Sequence, residues 1–128
     1  MARILPPRRG VTLGAVSAYG LVASCPTPLA PDAVARALTE LARRTFPGAA
    51  ITVDEDVDRG SLVSGQRERF AFVEVDAGGA AFSFCRFRPC PGGFEFVFNL
   101  SDCRRPADEV ERGLTARLPL QIVRRERL

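Results

Sequence analysis

Four cysteines and a cluster of aspartates are the residues of this 128-residue chain best suited to chemistry. The cysteines are Cys25, Cys85, Cys90 and Cys103. No two are spaced as Cys-x-x-Cys, and the chain has no histidine, so the commonest general base and a leading zinc ligand are both missing. A catalytic thiol would lack the base that activates it. Cys85 falls inside a predicted strand and reads as a small buried hydrophobe. Cys90 and Cys103 flank another predicted strand. At about 3.3 Å per residue they lie too far apart for a disulfide. Free thiols and a reducing, cytoplasmic compartment are expected. Asp54, Asp56 and Asp58 match the spacing of the first three ligands of a calcium loop. However, Arg59 stands where the sharp turn needs Gly, and Gly65 where a bidentate Glu is needed. These aspartates read as a solvated acidic turn, and neither a metal nor a cofactor is expected.

The elements that would position any site centre on 69–100, which holds eight of the nine phenylalanines. Three short runs, Arg69 to Asp76, Ala80 to Arg88 and Phe94 to Leu100, are aromatic or β-branched and bounded by Gly or Pro, which predicts strands joined as hairpins. The expected register has a three-residue loop, Ala77 to Gly79, and a five-residue loop, Pro89 to Gly93. With a side-chain period of two, it places Phe70, Phe72, Phe82, Phe84, Phe94, Phe96 and Phe98 on one face. Val73, Val75, Phe87 and Val97 fall on the other. A two-residue first loop would instead put Phe82 and Phe84 on the side of Val73 and Val75.

Before this segment, Ser17 to Ala23 predict a strand. Pro31 to Thr45 predict a helix with Pro at its first position, an early Asp32 and the apolar stripe Val34, Leu38 and Leu41. Glu40 is placed to pair with Arg36 or Arg44. Ala49 to Val53 predict a strand, and Asp54 to Arg67 a loop. After it, Pro106 to Leu118 predict a second helix with the stripe Val110, Leu114 and Leu118. Leu120 to Val123 predict a last strand, followed by a basic tail of Arg124, Arg125 and Arg127. The expected fold is one α+β domain over 1–128. Its mostly antiparallel sheet has element order β-α-β-β-β-β-α-β, with two helices packed on one face.

Three resemblances bear on function. Arg3, Arg8 and Arg9, the apolar run Val11 to Ala23 and then Val22-Ala23-Ser24-Cys25 resemble a bacterial lipoprotein signal peptide. That resemblance implies a membrane-anchored protein lipidated at Cys25, against the alternative that 1–24 form an N-terminal arm plus the first strand. Arg69-Phe70-Ala71-Phe72-Val73-Glu74-Val75 resembles the central strand of an RNA recognition motif, in which aromatics stack on unpaired bases. It implies an RNA site of Phe70 and Phe72 with Arg69, and Tyr19 on the first strand. Arg69 stands in place of the motif's Gly, and a hairpin follows where the family has a helix. The element order alone is similar to small phage tail-completion proteins and to immunity proteins, which implies function through a surface.

The net charge is +3, and all eighteen basic residues are Arg. Abundant Ala, Gly and Pro suggest GC-rich coding, which accounts for arginine over lysine. The charge supports only weak attraction to nucleic acid. The expected function is therefore non-enzymatic: protein–protein contact, or self-association, as a subunit or adaptor of a larger assembly. The expected contact surface is the face of Val73, Val75, Phe87 and Val97, together with any open sheet edge.

Overall fold

The computed structural model describes residues 18–100 and 106–128. Its elements follow the expected order: β1 (Ala18–Ser24), α1 (Pro31–Thr45), β2 (Ala50–Gly60), β3 (Arg67–Asp76), β4 (Ala81–Cys90), β5 (Gly93–Asn99), α2 (Ala107–Arg117) and β6 (Gln121–Arg127). The strands form one sheet in the order β2-β3-β4-β5-β1-β6, and every neighbouring pair is antiparallel. Both helices bury their stripes in one core, on one face of this sheet. Among the described residues, no helix is long and apolar enough to cross a membrane.

The register differs from the expected one because both turns are tighter. Ala77 N–H donates to the Ala80 carbonyl at 2.9 Å, closing a two-residue turn on Gly78 and Gly79, whose φ angles are +64° and +92°. Two consecutive positive φ values match the twist of a hairpin and suit glycine best. The second turn is Pro91-Gly92, because Cys90 pairs with Gly93. A bulge then intervenes. Val73 pairs with Cys85 and Glu74 with Ser83, leaving Phe84 as the extra residue. Phe82 before the bulge, Phe84 at it, and Cys85 and Phe87 after it all join the helix side.

The consequences for the expected faces are direct. Val73, Val75 and Phe87 lie in the core beneath the helices and cannot form a contact surface. Val97 does lie on the opposite, helix-free face, but it is buried there. Phe70 and Phe72 are also on the helix-free face, so Phe72 is not packed under a helix as expected; it is only half-buried, between Asp54 and Arg86. On the helix side, Phe87, Phe94, Phe96 and Phe98 form a continuous aromatic row with neighbouring centroids 6.3–6.5 Å apart. Phe84 meets Phe98 edge-on at 5.9 Å.

α1 begins at Pro31 and buries Val34, Ala37, Leu38, Leu41 and Ala42. At its end, Phe46 turns its ring onto Phe82 at 5.1 Å. Glu40 pairs across to Arg117 of α2 at 3.5 Å, not with its own helix. β1 is an interior strand, hydrogen-bonded to both β5 and β6, with Leu21 and Ala23 buried. Cleavage before Cys25 would remove it. β2 runs on through the aspartates expected to form a loop, and β6 absorbs the arginines expected to form a tail.

Candidate functional site: a clamped face and two open edges

The helix-free face holds the most concentrated polar chemistry of the molecule. Glu95 lies on β5 between the core residues Phe94 and Phe96, so strand alternation turns it to the helix-free side, where it is fully buried. Its carboxylate accepts from the Ser61 hydroxyl at 2.5 Å, the Leu62 backbone N–H at 2.7 Å and Arg88 Nη1 at 2.8 Å. The same Ser61 oxygen accepts from the backbone N–H groups of Val63 and Ser64, both at 3.0 Å. Arg88 also approaches Glu68 at 3.7 Å. Ser61 and Leu62 sit at the tip of the β2–β3 hairpin, which bends back over the sheet. Leu62 rests on β1 at Gly20, where an added Cβ would meet Leu62 Cδ1 at 2.7 Å. The Leu62 carbonyl accepts from Arg124 of β6 at 2.9 Å. The hairpin tip is thus clamped across the face by charge-assisted hydrogen bonds, which are among the strongest available. Replacing Ser61 with Ala strips Glu95 of a donor and the tip of its turn. It is expected to cost about 1–3 kcal/mol of stability in urea unfolding.

The clamp decides the fate of the proposed RNA residues. Phe70 is fully buried, with the Arg86 guanidinium 4.4 Å from its ring centroid. Tyr19 points to the helix side, where its hydroxyl donates to Glu111 at 3.2 Å. Arg69 is exposed and near Glu55, which also lies on the helix side. Of the four residues the resemblance implied, only Phe72 combines the helix-free face with partial exposure. It borders a depression lined also by Ala18, Ser83, Arg86, Val97 and Asn99.

Two of the thiols, Cys25 and Cys90, are held toward their protonated form. Among the described residues, Cys25, Cys85 and Cys90 form no disulfide with one another, and Cys103 lies outside the described residues. Burial raises the pKa of Cys25, and burial followed by the Glu95 charge raises that of Cys90, away from the thiolate a nucleophile needs. Asp54 and Asp56 sit in a regular strand with their side chains exposed, not in a loop.

Where α2 meets β6, Glu111 receives two hydrogen bonds from Arg125, at 2.8 and 2.6 Å, besides that from Tyr19. Hydrogen bonding from Arg125 holds the Glu111 pKa below its ordinary 4.5. A carboxylate depressed by folding adds stability that is complete above its unfolded value and is lost as pH falls through its folded value. Acidification below about pH 4.5 should therefore lower the melting temperature. The Glu111→Gln protein should lose less over that range, as thermal melts across a pH series will show.

Two surfaces remain open: the outer edges of β2 and β6, with which no further strand pairs among the described residues. Four large apolar side chains are exposed among those residues. Val53 (41% exposed) is on β2, Val123 (61%) is on β6, and Leu128 (49%) directly follows β6. The fourth, Val63, is in the clamped hairpin tip. The chain matches no known family model, and no curated protein or solved structure matches it either.

Sequence reasoning missed the clamp and half of each edge. The clamp did leave one signal: Glu95 is the single charged residue within Phe94–Phe98, where a charge must find a buried partner or the opposite face. The edges left none that separates a charged strand from a charged loop.

Proposed function

We propose that this chain is a non-enzymatic subunit or adaptor that works through protein–protein contact, and that the edge strands β2 and β6 are its contact surfaces. The observation that carries this reading is the placement of exposed apolar side chains. Three of the four among the described residues lie on or next to the two strands that end the sheet. Isolated strand edges offer unpaired backbone groups, and proteins that do not use them guard them with proline, bulges or inward charges. Neither β2 nor β6 contains proline, and the irregularity that each has lies outside the stretches 50–57 and 124–127. Backbone pairing at such an edge gives affinity, and the alternate side chains give specificity. The free thiols fit a reducing, cytoplasmic setting.

Affinity capture with the intact chain from its own cells tests this. A protein partner should be retained after nuclease treatment and lost when Val53→Glu and Val123→Glu are combined. Retention that survives both substitutions would refute the role of the edges.

A second reading, single-stranded RNA binding, is favoured by one observation: Phe72 lies half-exposed beside Arg86 on the helix-free face. It expects the opposite pattern, with retention abolished by nuclease, by Phe72→Ala and by rising salt.

A further inference from the structure

We infer that the partner of these edges is a second copy of this chain, joined head to tail with β6 of one copy against β2 of the next. The inference rests on the reading above that the edges are contact surfaces. It follows from direction, charge and regularity.

Direction comes first. Six strands, each antiparallel to its neighbour, leave β2 and β6 running in opposite senses. A second copy displaced along the sheet therefore meets the first with β2 antiparallel to β6, and its helices stay on the same side. The junction repeats the geometry of every pairing inside the sheet. Such a contact is heterologous, so it builds a ring if the rotation closes and a filament if it does not.

Charge then selects this pairing over its rivals. The regular stretch of β2 carries Asp54, Glu55 and Asp56 with no basic residue, whereas β6 carries Arg124, Arg125 and Arg127 against Glu126 alone. β2 against β2, or β6 against β6, sets like charges opposite one another, which is destabilising. β2 against β6 matches them fully on the helix side and in part on the other. On the helix-free face, Asp54 and Asp56 meet the side that carries Arg124 together with Glu126. On the helix side, Glu55 meets the side that carries Arg125 and Arg127. Four of these charges are already oriented by their own chain: Arg124 by Glu126 and the Leu62 carbonyl, Arg125 by Glu111, Arg127 by the Tyr19 ring, and Glu55 by Arg69. Even so, Arg124, Arg125 and Glu55 remain 50%, 54% and 68% exposed, with surface left for a second partner.

Regularity makes the edges usable. β2 pairs with β3 without interruption from Ala50 to Val57, and β6 pairs with β1 without interruption from Arg124 to Arg127. Exposed Val53 lies within the regular stretch of β2, and exposed Val123 sits at the bulge that immediately precedes the regular stretch of β6.

Sedimentation velocity across a concentration series, at low and high salt, reads the association. Two charge-reversed proteins decide the pairing: D54R/E55R/D56R, with both edges basic, and R124E/R127E, with both edges acidic. Arg125 is left in place to keep its bonds to Glu111. The parent's mass should rise with concentration, and less so in high salt. Each reversed protein alone should associate about a hundredfold more weakly or not at all. Their equimolar mixture should recover association, since each basic edge then faces an acidic one. Circular dichroism and thermal melting establish that each is folded; if either triple or double variant is not, D54R and R124E are used as the complementary pair. The inference is overturned if the parent stays monomeric throughout, if either reversed protein associates like the parent, or if the folded mixture does not recover. A monomeric parent whose capture of a different protein is still abolished by Val53→Glu with Val123→Glu would refute self-association alone. A monomeric parent whose capture ignores those substitutions would refute the edge reading as well.

Discussion

Replacing Glu95 with Ala is expected to destabilise the protein by about 3 kcal/mol, at the lower end of what breaking a buried ion pair costs. The carboxylate is fully buried and holds three donors at once: a hydroxyl, a backbone N–H and a guanidinium. Its removal leaves the Leu62 N–H and Ser61 without their acceptor and Arg88 without its closest counter-charge. Arg88 keeps Glu68 at 3.7 Å and is one-fifth exposed, which places the loss at the lower end of that range. The effect should be local as well as global, because the same carboxylate fixes the β2–β3 hairpin tip over β5. Amide exchange in 60–66 should accelerate more than exchange in α1. Glu95→Gln, which keeps one acceptor and the shape, should lose less. Urea unfolding checks the magnitude. A loss well below about 1 kcal/mol would mean that the hairpin is held by its own turn and not by Glu95.

Phe96→Ala is expected to cost more, about 3–5 kcal/mol. Its ring is fully buried on the helix side, at the centre of the aromatic row, stacked between Phe87 and Phe98 at 6.3 Å. Neighbours fixed on two strands cannot collapse into the space it leaves. Phe70→Ala should approach this value, because that ring is also fully buried, though on the helix-free side under Arg86. Phe72→Ala should cost clearly less, since its ring is only half-buried and lies on the helix-free face. Equilibrium unfolding of the three variants, measured together, tests the face assignment. A Phe72→Ala loss equal to that of Phe96→Ala would restore the register in which Phe70, Phe72, Phe82, Phe84, Phe94, Phe96 and Phe98 share one face.

The helices and the order of elements were legible in the sequence because they depend on local signals. Proline at the start of α1, the Val34-Leu38-Leu41 spacing and the Pro47-Gly48 stop define Pro31–Thr45 without reference to the rest of the chain. The sheet faces were not legible, because a face depends on the parity of every turn and bulge before it. One residue fewer in the Gly78-Gly79 turn reverses Phe70 and Phe72 relative to Phe82 and Phe84, and the bulge at Phe84 then brings Cys85 and Phe87 to the same side as Phe82. Aromatic residues need not share one face, because the helix-free face has its own small core. Phe70, Val97 and the buried Glu95 lie there beneath the folded-back hairpin. The edges were hidden for a related reason. Asp54 to Asp56 and Arg124 to Arg127 have the composition of solvated segments, and an edge strand with one side open satisfies the same preference.

The most direct test of the edges as contact surfaces is backbone amide exchange, comparing the dilute chain with the chain in its assembly. Outward-facing amides of an edge strand have no partner until something pairs with them, whereas interior strands are already protected. New protection is expected in Ala50–Gly60 and Gln121–Arg127, with β4 and β5 essentially unchanged. Assembly without added protection at either edge would contradict the proposal and move the contact surface to the helix-free face around Phe72.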